Sequence, residues 1–156
     1  MSAEALLHAA RAKGLILATA ESCTAGMVSA AITDVAGSSA IFDRGFVTYT
    51  NAAKEAMLGV KHTTLDAFGA VSEEVAAEMA MGAIAESHAD IAVSITGIAG
   101  PGGSEHKPEG RVCFGVAMAT GVTTETVEFG ARGRAAVRGA ARDHALALLI
   151  KAVDQS

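Results

Sequence analysis

Tryptophan is absent from this chain of 156 residues, tyrosine occurs once, and aromatic residues make up 4% of it while apolar residues make up 51%. Its core must therefore be built from Ala, Val, Ile, Leu and Met, small side chains that allow close approach of helices to a sheet. Cysteine occurs only as Cys23 and Cys113, too few for a disulfide framework or a cysteine metal cluster. A reduced, cytoplasmic setting is expected. Gly, Thr or charged residues break every apolar stretch before it is long enough to span a bilayer. No signal-peptide pattern is expected either, because Ala3-Glu4-Ala5-Leu6-Leu7 runs directly into an amphipathic pattern. A net charge of −5 argues against a general nucleic-acid binder, although a local cluster of cations can still hold one phosphate. Metal chemistry also lacks support: the five histidines are scattered and form no His-Glu-x-x-His pattern.

What remains is an alternation of elements. Residues 4–12 carry apolar positions at helical spacing, followed by a strand at 15–20 and a helix from about Thr24 to Thr33. Ile41 to Thr50 is β-rich, and Asn51 is expected to cap a short helix through Lys54 and Leu58. Ser72-Glu73-Glu74-Val75 opens a long helix, Ile91–Ile95 reads as a buried strand, and Arg111–Ala119 and Thr123–Phe129 form a hairpin through Thr120-Gly121. A last helix runs from Arg134 to about Val153. This order predicts a single α/β domain over 1–156, a three-layer α/β/α sandwich with a mixed, mainly parallel sheet.

Two loops follow strands and so belong where ligands collect in such folds. In the first, Leu15 to Ala20 gives way to Glu21-Ser22-Cys23-Thr24 and then a helix. A strand–turn–helix sets small hydroxyl or thiol groups over unpaired backbone amides and the positive end of a helix dipole, which favours developing oxyanions. Ser22 and Cys23 are both candidate nucleophiles on this reading, against the commoner reading of a helix cap. In the second, Thr96-Gly97-Ile98-Ala99-Gly100-Pro101-Gly102-Gly103 carries four glycines that free backbone amides to face an anion. It matches neither a Walker loop nor a dinucleotide fingerprint. Lys54 is the best candidate base, provided that burial lowers its pKa. Arg134 and Arg138, four residues apart, share a helix face and form a candidate phosphate clamp; His106, beside the second loop, reads as a surface residue.

With Ala20–Gly26, Tyr49–Lys54 and Ile95–Gly103 following one another in this order, the chain resembles the CinA C-terminal domain family, which includes nicotinamide-nucleotide amidases. The resemblance rests on Ala20-Glu21-Ser22-Cys23-Thr24-Ala25-Gly26, Gly37-Ser38-Ser39 with Phe42, and Tyr49-Thr50-Asn51-Ala52-Ala53-Lys54. It continues through Leu58-Gly59-Val60, Gly69–Val75, Ile95–Gly103 and Lys107-Pro108 with Gly110, in the same order over nearly the whole chain. It implies hydrolysis of the carboxamide of nicotinamide mononucleotide to nicotinic acid mononucleotide and ammonia, without metal or cofactor. Ser22 is the implied nucleophile and Lys54 the implied base, with Tyr49 tuning or orienting the lysine. The expected substrate-binding set is Glu21, Cys23, Thr24, Thr96, Gly97, Ala99, Gly100, Gly102, Gly103, Arg134 and Arg138. A homo-oligomer is also implied. Where many members carry Gly-Asp-Arg, this chain has Arg132-Gly133-Arg134, which leaves the phosphate contacts open. The rival readings are a non-catalytic nucleotide-binding module and an amidase for another small substrate.

Overall fold

A computed structural model describes residues 2–156. The elements run α1 (Ala3–Lys13), β1 (Leu17–Glu21), α2 (Met27–Thr33), β2 (Phe42–Val47), α3 (Asn51–Leu58), α4 (His62–Phe68) and α5 (Glu73–Ala85), then β3 (Ile91–Gly97), β4 (Arg111–Met118), β5 (Gly121–Glu128) and α6 (Arg134–Asp154). The sheet order is β2-β1-β3-β4-β5. β1 pairs in parallel with β2 and β3, and the β3–β4 and β4–β5 ladders are antiparallel, so β4 alone opposes the common direction.

Side-chain alternation explains the three layers. Leu17 and the odd residues Ile91, Val93 and Ile95 of β3 join the core beneath α1, α2 and α6, where Leu6, Ile32, Val137 and Leu149 are buried. Ala18, Ala20 and Ala92 face the opposite way, onto the cluster of Leu58, Leu65, Val75, Met79 and Ala83 from α3, α4 and α5. Both faces of the central strands are thus covered, which is why β1 and most of β3 are buried without a polar face. On β4, Gly115 lets the α5 backbone lie close: a Cβ there would sit 2.6 Å from the Ala76 carbonyl oxygen.

The helix starts follow local chemistry. Ser2, Thr50 and Ser72 accept hydrogen bonds from the amides three residues on, closing the first turns of α1, α3 and α5. The cap of α3 is therefore Thr50, not Asn51, which is already the first helical residue. The second helix begins at Met27 rather than Thr24, because residues 22–26 form a separate tight turn in which the Ala25 amide donates to the Ser22 carbonyl. The helix α4 was not foreseen; its amide end at Lys61 is satisfied from α5, by the Glu78 carboxylate, a contact that short-range patterning does not carry.

The chain leaves β1 over one face to reach β2, then returns over the other face through α3, α4 and α5 to reach β3 on the far side of β1. The carboxyl end of β1 is thus a point where the direction of winding reverses, and such points open a crevice.

Candidate active site

Ser22 follows β1 immediately, so alternation turns it to the face of Ala18 and Ala20, the side on which α3 packs. Lys54 enters that space from the first turn of α3 and is 1% exposed. Its Nζ lies 2.9 Å from Ser22 Oγ, 3.0 Å from the Thr48 carbonyl oxygen and 3.2 Å from that of Tyr49. Burial lowers the Lys54 pKa from 10.5 to about 8, against a smaller opposing contribution from Cys23. A neutral amine has two N–H donors and one lone pair. As an ammonium Lys54 donates to Ser22 Oγ and both carbonyls, while the Ser22 hydroxyl donates to the Tyr49 carbonyl at 3.4 Å. As a free amine its two donors match the carbonyls and its lone pair faces Ser22 Oγ, ready for the hydroxyl proton.

Cys23 is the other nucleophile candidate, and its environment works against it. Burial raises its thiol to about 11, so the thiolate is scarce near neutrality. The backbone of the same turn offers more: the amides of Cys23 and Thr24 donate to no acceptor among the described residues. Of the two, Cys23 lines the cleft beside Ser22 while Thr24 is fully buried, so the Cys23 amide is the one that adjoins the hydroxyl, as an oxyanion donor must.

A cleft of about 320 Å³ opens above Ser22 and Lys54. One wall is the glycine loop after β3, in which the amides of Ala99, Gly100 and Gly103 also lack acceptors among the described residues. The other walls come from Ala70 and Val71 before α5 and from Tyr49 and Arg134. Lys107 anchors the glycine loop to that second wall, its Nζ donating to the carbonyl oxygens of Phe68 and Val71 at 2.6 Å each.

Of the residues anticipated from sequence, Ser22, Cys23, Tyr49, Lys54, Thr96, Gly97, Ala99, Gly100, Gly102, Gly103 and Arg134 line this cleft. Glu21, Thr24 and Arg138 do not. The Glu21 carboxylate is fully buried and points to the opposite face of the sheet, where it accepts from the amides of Gly26, Val28 and Ser29 and the hydroxyls of Thr24 and Ser29. It caps α2 and cannot reach a ligand. The Thr24 side chain is spent on Glu21. Arg138 donates to the backbone carbonyls of Cys23 and Thr24, behind the turn.

Tyr49 contributes differently from expectation. Its carbonyl, not its phenol, contacts Lys54; the ring is 55% exposed and its hydroxyl accepts from Arg134 at 2.9 Å. Arg134 also donates to the Gly100 carbonyl at 2.7 Å, so one guanidinium ties the connection after β2 to the glycine loop. His106 lies outside the cleft lining, whereas its neighbour Glu105 is part of it. Ala70, Val71, Ile98, Pro101, Ser104 and Glu105 also line the cleft and lie outside the anticipated set, Ile98 and Pro101 as members of the glycine loop. Ala70 and Val71 sit in a segment that reads only as the lead-in to a helix, and nothing local marks Glu105. Among the described residues no group of three or more His, Cys, Asp or Glu could hold a metal ion, and no helix is long and apolar enough to cross a membrane.

Comparison with known proteins places this geometry. The nicotinamide-nucleotide amidohydrolase PncC of Escherichia coli K12 is 54% identical over 143 residues, covering 91% of this chain and 87% of that protein. Its namesake from Enterobacter agglomerans is 60% identical over 110 residues, covering 70% and 67%. The crystal structure of competence/damage inducible protein CihA from Agrobacterium tumefaciens superposes with a TM-score of 0.93 at 47% identity, over 97% of this chain and 93% of that one. The family model of the CinA C-terminal domain matches residues 1–153. The chain therefore belongs to the CinA C-terminal domain family.

Proposed function

We propose that this chain is a nicotinamide-nucleotide amidase that cleaves the carboxamide of nicotinamide mononucleotide to nicotinic acid mononucleotide and ammonia, with Ser22 as nucleophile and Lys54 as base. The activity named for the PncC relatives supports the substrate. The observation that carries the chemistry is the buried Lys54 amine at 2.9 Å from Ser22 Oγ, with both of its remaining donors matched by carbonyls.

In this reading Lys54 takes the hydroxyl proton as Ser22 Oγ attacks the amide carbon. The tetrahedral oxyanion takes a hydrogen bond from the free Cys23 amide of the turn. Protonated Lys54 returns its proton to the departing nitrogen, which leaves as ammonia, and Ser22 holds the nicotinoyl group as an ester. Lys54, neutral again, takes a proton from water, which attacks the ester and frees the acid and the serine. The nucleotide phosphate suits Arg134 at the cleft rim and the free amides of the glycine loop, since a guanidinium pairs well with phosphate oxygens.

The test is ammonia release from nicotinamide mononucleotide by wild-type protein and by Ser22→Ala. Release by the wild type alone is expected. Tight binding of the nucleotide with no release by the wild type would instead favour a nucleotide-binding module. Equal release from the nucleotide and its nucleoside would favour an amidase for another substrate.

A further inference from the structure

Arg138 has no place in the cleft, yet among the described residues it is the one cation that grips the turn of Ser22 from behind. Its Nε donates to the Cys23 carbonyl oxygen at 2.9 Å and its Nη2 to that of Thr24 at 3.5 Å. The side chain is half-buried, and its hydrogen bonds to the turn hold the guanidinium in place. A peptide group is planar, with its carbonyl and amide pointing in opposite directions. Holding the Cys23 carbonyl therefore fixes that peptide plane, and with it the turn between Ser22 and Thr24. The Thr24 and Cys23 amides are the two in this turn without an acceptor among the described residues. The Ser22 and Thr24 carbonyls accept from the Ala25 and Met27 amides, Ser22 N–H bonds to β3 at Ile95 and Glu21 fixes the start of α2 from the opposite face. The Cys23 carbonyl, by contrast, has Arg138 as its one donor among the described residues.

We propose that Arg138 is a positioning residue for acylation, which through the Cys23 carbonyl holds in place the turn that carries Ser22 and the Cys23 amide, and that it does not bind the substrate phosphate. This rests on the amidase reading above and goes beyond it, because it separates the two arginines that helical spacing pairs. Arg134 reaches the cleft rim; Arg138, one turn further along α6, reaches only backbone behind the nucleophile. Positive charge at that position also favours the oxyanion through space, a contribution present in the transition state and absent in the ground state.

The experiment compares wild type, Arg138→Met and Arg138→Lys by kcat and KM for nicotinamide mononucleotide, and by the rate at which a fluorophosphonate probe labels Ser22. Labelling needs the activated serine and its oxyanion donors but no nucleotide. For Arg138→Met, kcat and the labelling rate fall together by about 100-fold, as for the loss of one oxyanion donor. KM changes by less than about threefold, and Arg138→Lys recovers part of both rates. A rise in KM of tenfold or more with kcat unchanged overturns the proposal and returns Arg138 to phosphate binding. Labelling of Arg138→Met at the wild-type rate also overturns it. Should Arg138→Met not fold, Arg138→Gln takes its place: a joint fall in kcat and labelling with KM unchanged supports the proposal, and wild-type labelling overturns it. If the wild type is labelled at Ser22 but releases no ammonia, the substrate reading fails while the labelling comparison still judges Arg138. A wild type that neither labels nor hydrolyses overturns both.

Discussion

Titrating Lys54 is the sharpest test of the site, because the base works only as the free amine. With a pKa of about 8, roughly 3% of the lysine is neutral at about pH 6.5 and roughly 90% at about pH 9. For the free enzyme, kcat/KM should therefore climb about 30-fold across that interval, tenfold per unit at its acid end, and level off above about pH 8.5. An unburied lysine would still be rising above about pH 10. The assay is direct quantitation of nicotinic acid mononucleotide, with no coupling enzyme whose own pH dependence would intrude. Lys54→Arg removes the inflection along with the activity, since a guanidinium stays protonated throughout the range. A profile flat between about pH 6.5 and about pH 9, or an inflection retained in Lys54→Arg, would refute the assignment of the base.

The same burial has a cost in stability, with a definite sign. The folded chain gives up the lysine proton at about 8 and the unfolded chain near 10.5, so between those values the unfolded state binds more protons. Stability should rise with pH across that window, by at most about 3 kcal/mol, and the full penalty is in place below about pH 8. Cys23 works the other way: its thiol is raised from 9.0 to about 11, so the folded chain binds more protons between those values and stability falls there. The rise from Lys54 is thus unopposed by Cys23 only between about pH 8 and about pH 9, and is uncovered above that in Cys23→Ala.

Two other substitutions separate binding from architecture. Arg134→Gln should raise KM for the mononucleotide tenfold or more with little change in kcat, while leaving turnover of the corresponding nucleoside unaffected; an equal effect on both substrates would remove the phosphate from Arg134. Glu21→Gln keeps the shape but turns an amide NH₂ toward a set of five donors, so it should destabilise the fold by about 2–4 kcal/mol in urea titration. A loss of activity without that loss of stability would put Glu21 back among the residues that touch substrate.

The sequence was legible wherever chemistry and chain neighbourhood coincide. Period-two and period-3.6 patterns located every strand and five of the six helices, and the glycine run after Ile95 marked a wall of the cleft. What stayed hidden depends on contacts between elements. The helix α4 starts on a carboxylate from α5, Ala70 and Val71 reach the cleft only because Lys107 ties the glycine loop to them, and Tyr49 meets Lys54 through its backbone. Residue type says nothing about a carbonyl, so a tyrosine five residues before a lysine suggests its phenol, and the phenol turns out to hold Arg134.

The two misplaced charges, Glu21 and Arg138, are instructive for the same reason. Both adjoin the turn of Ser22, one along the strand and one through space, and charge beside a candidate nucleophile invites a role in binding. Strand alternation excludes Glu21: if Ser22 faces α3 and Lys54, its predecessor must face α2, where free helix amides need an acceptor. Glu21 and Arg138 then act on one short segment from two sides, the first satisfying the amides of Gly26, Val28 and Ser29, the second the carbonyls of Cys23 and Thr24. Between them the backbone polar groups of the turn are nearly all matched, and the amides of Cys23 and Thr24 are the ones left over. In the amidase reading the oxyanion then needs no dedicated side chain in the cleft, because the turn's other hydrogen bonds are satisfied and the Cys23 amide, at the cleft, has no other residue to donate to among those described.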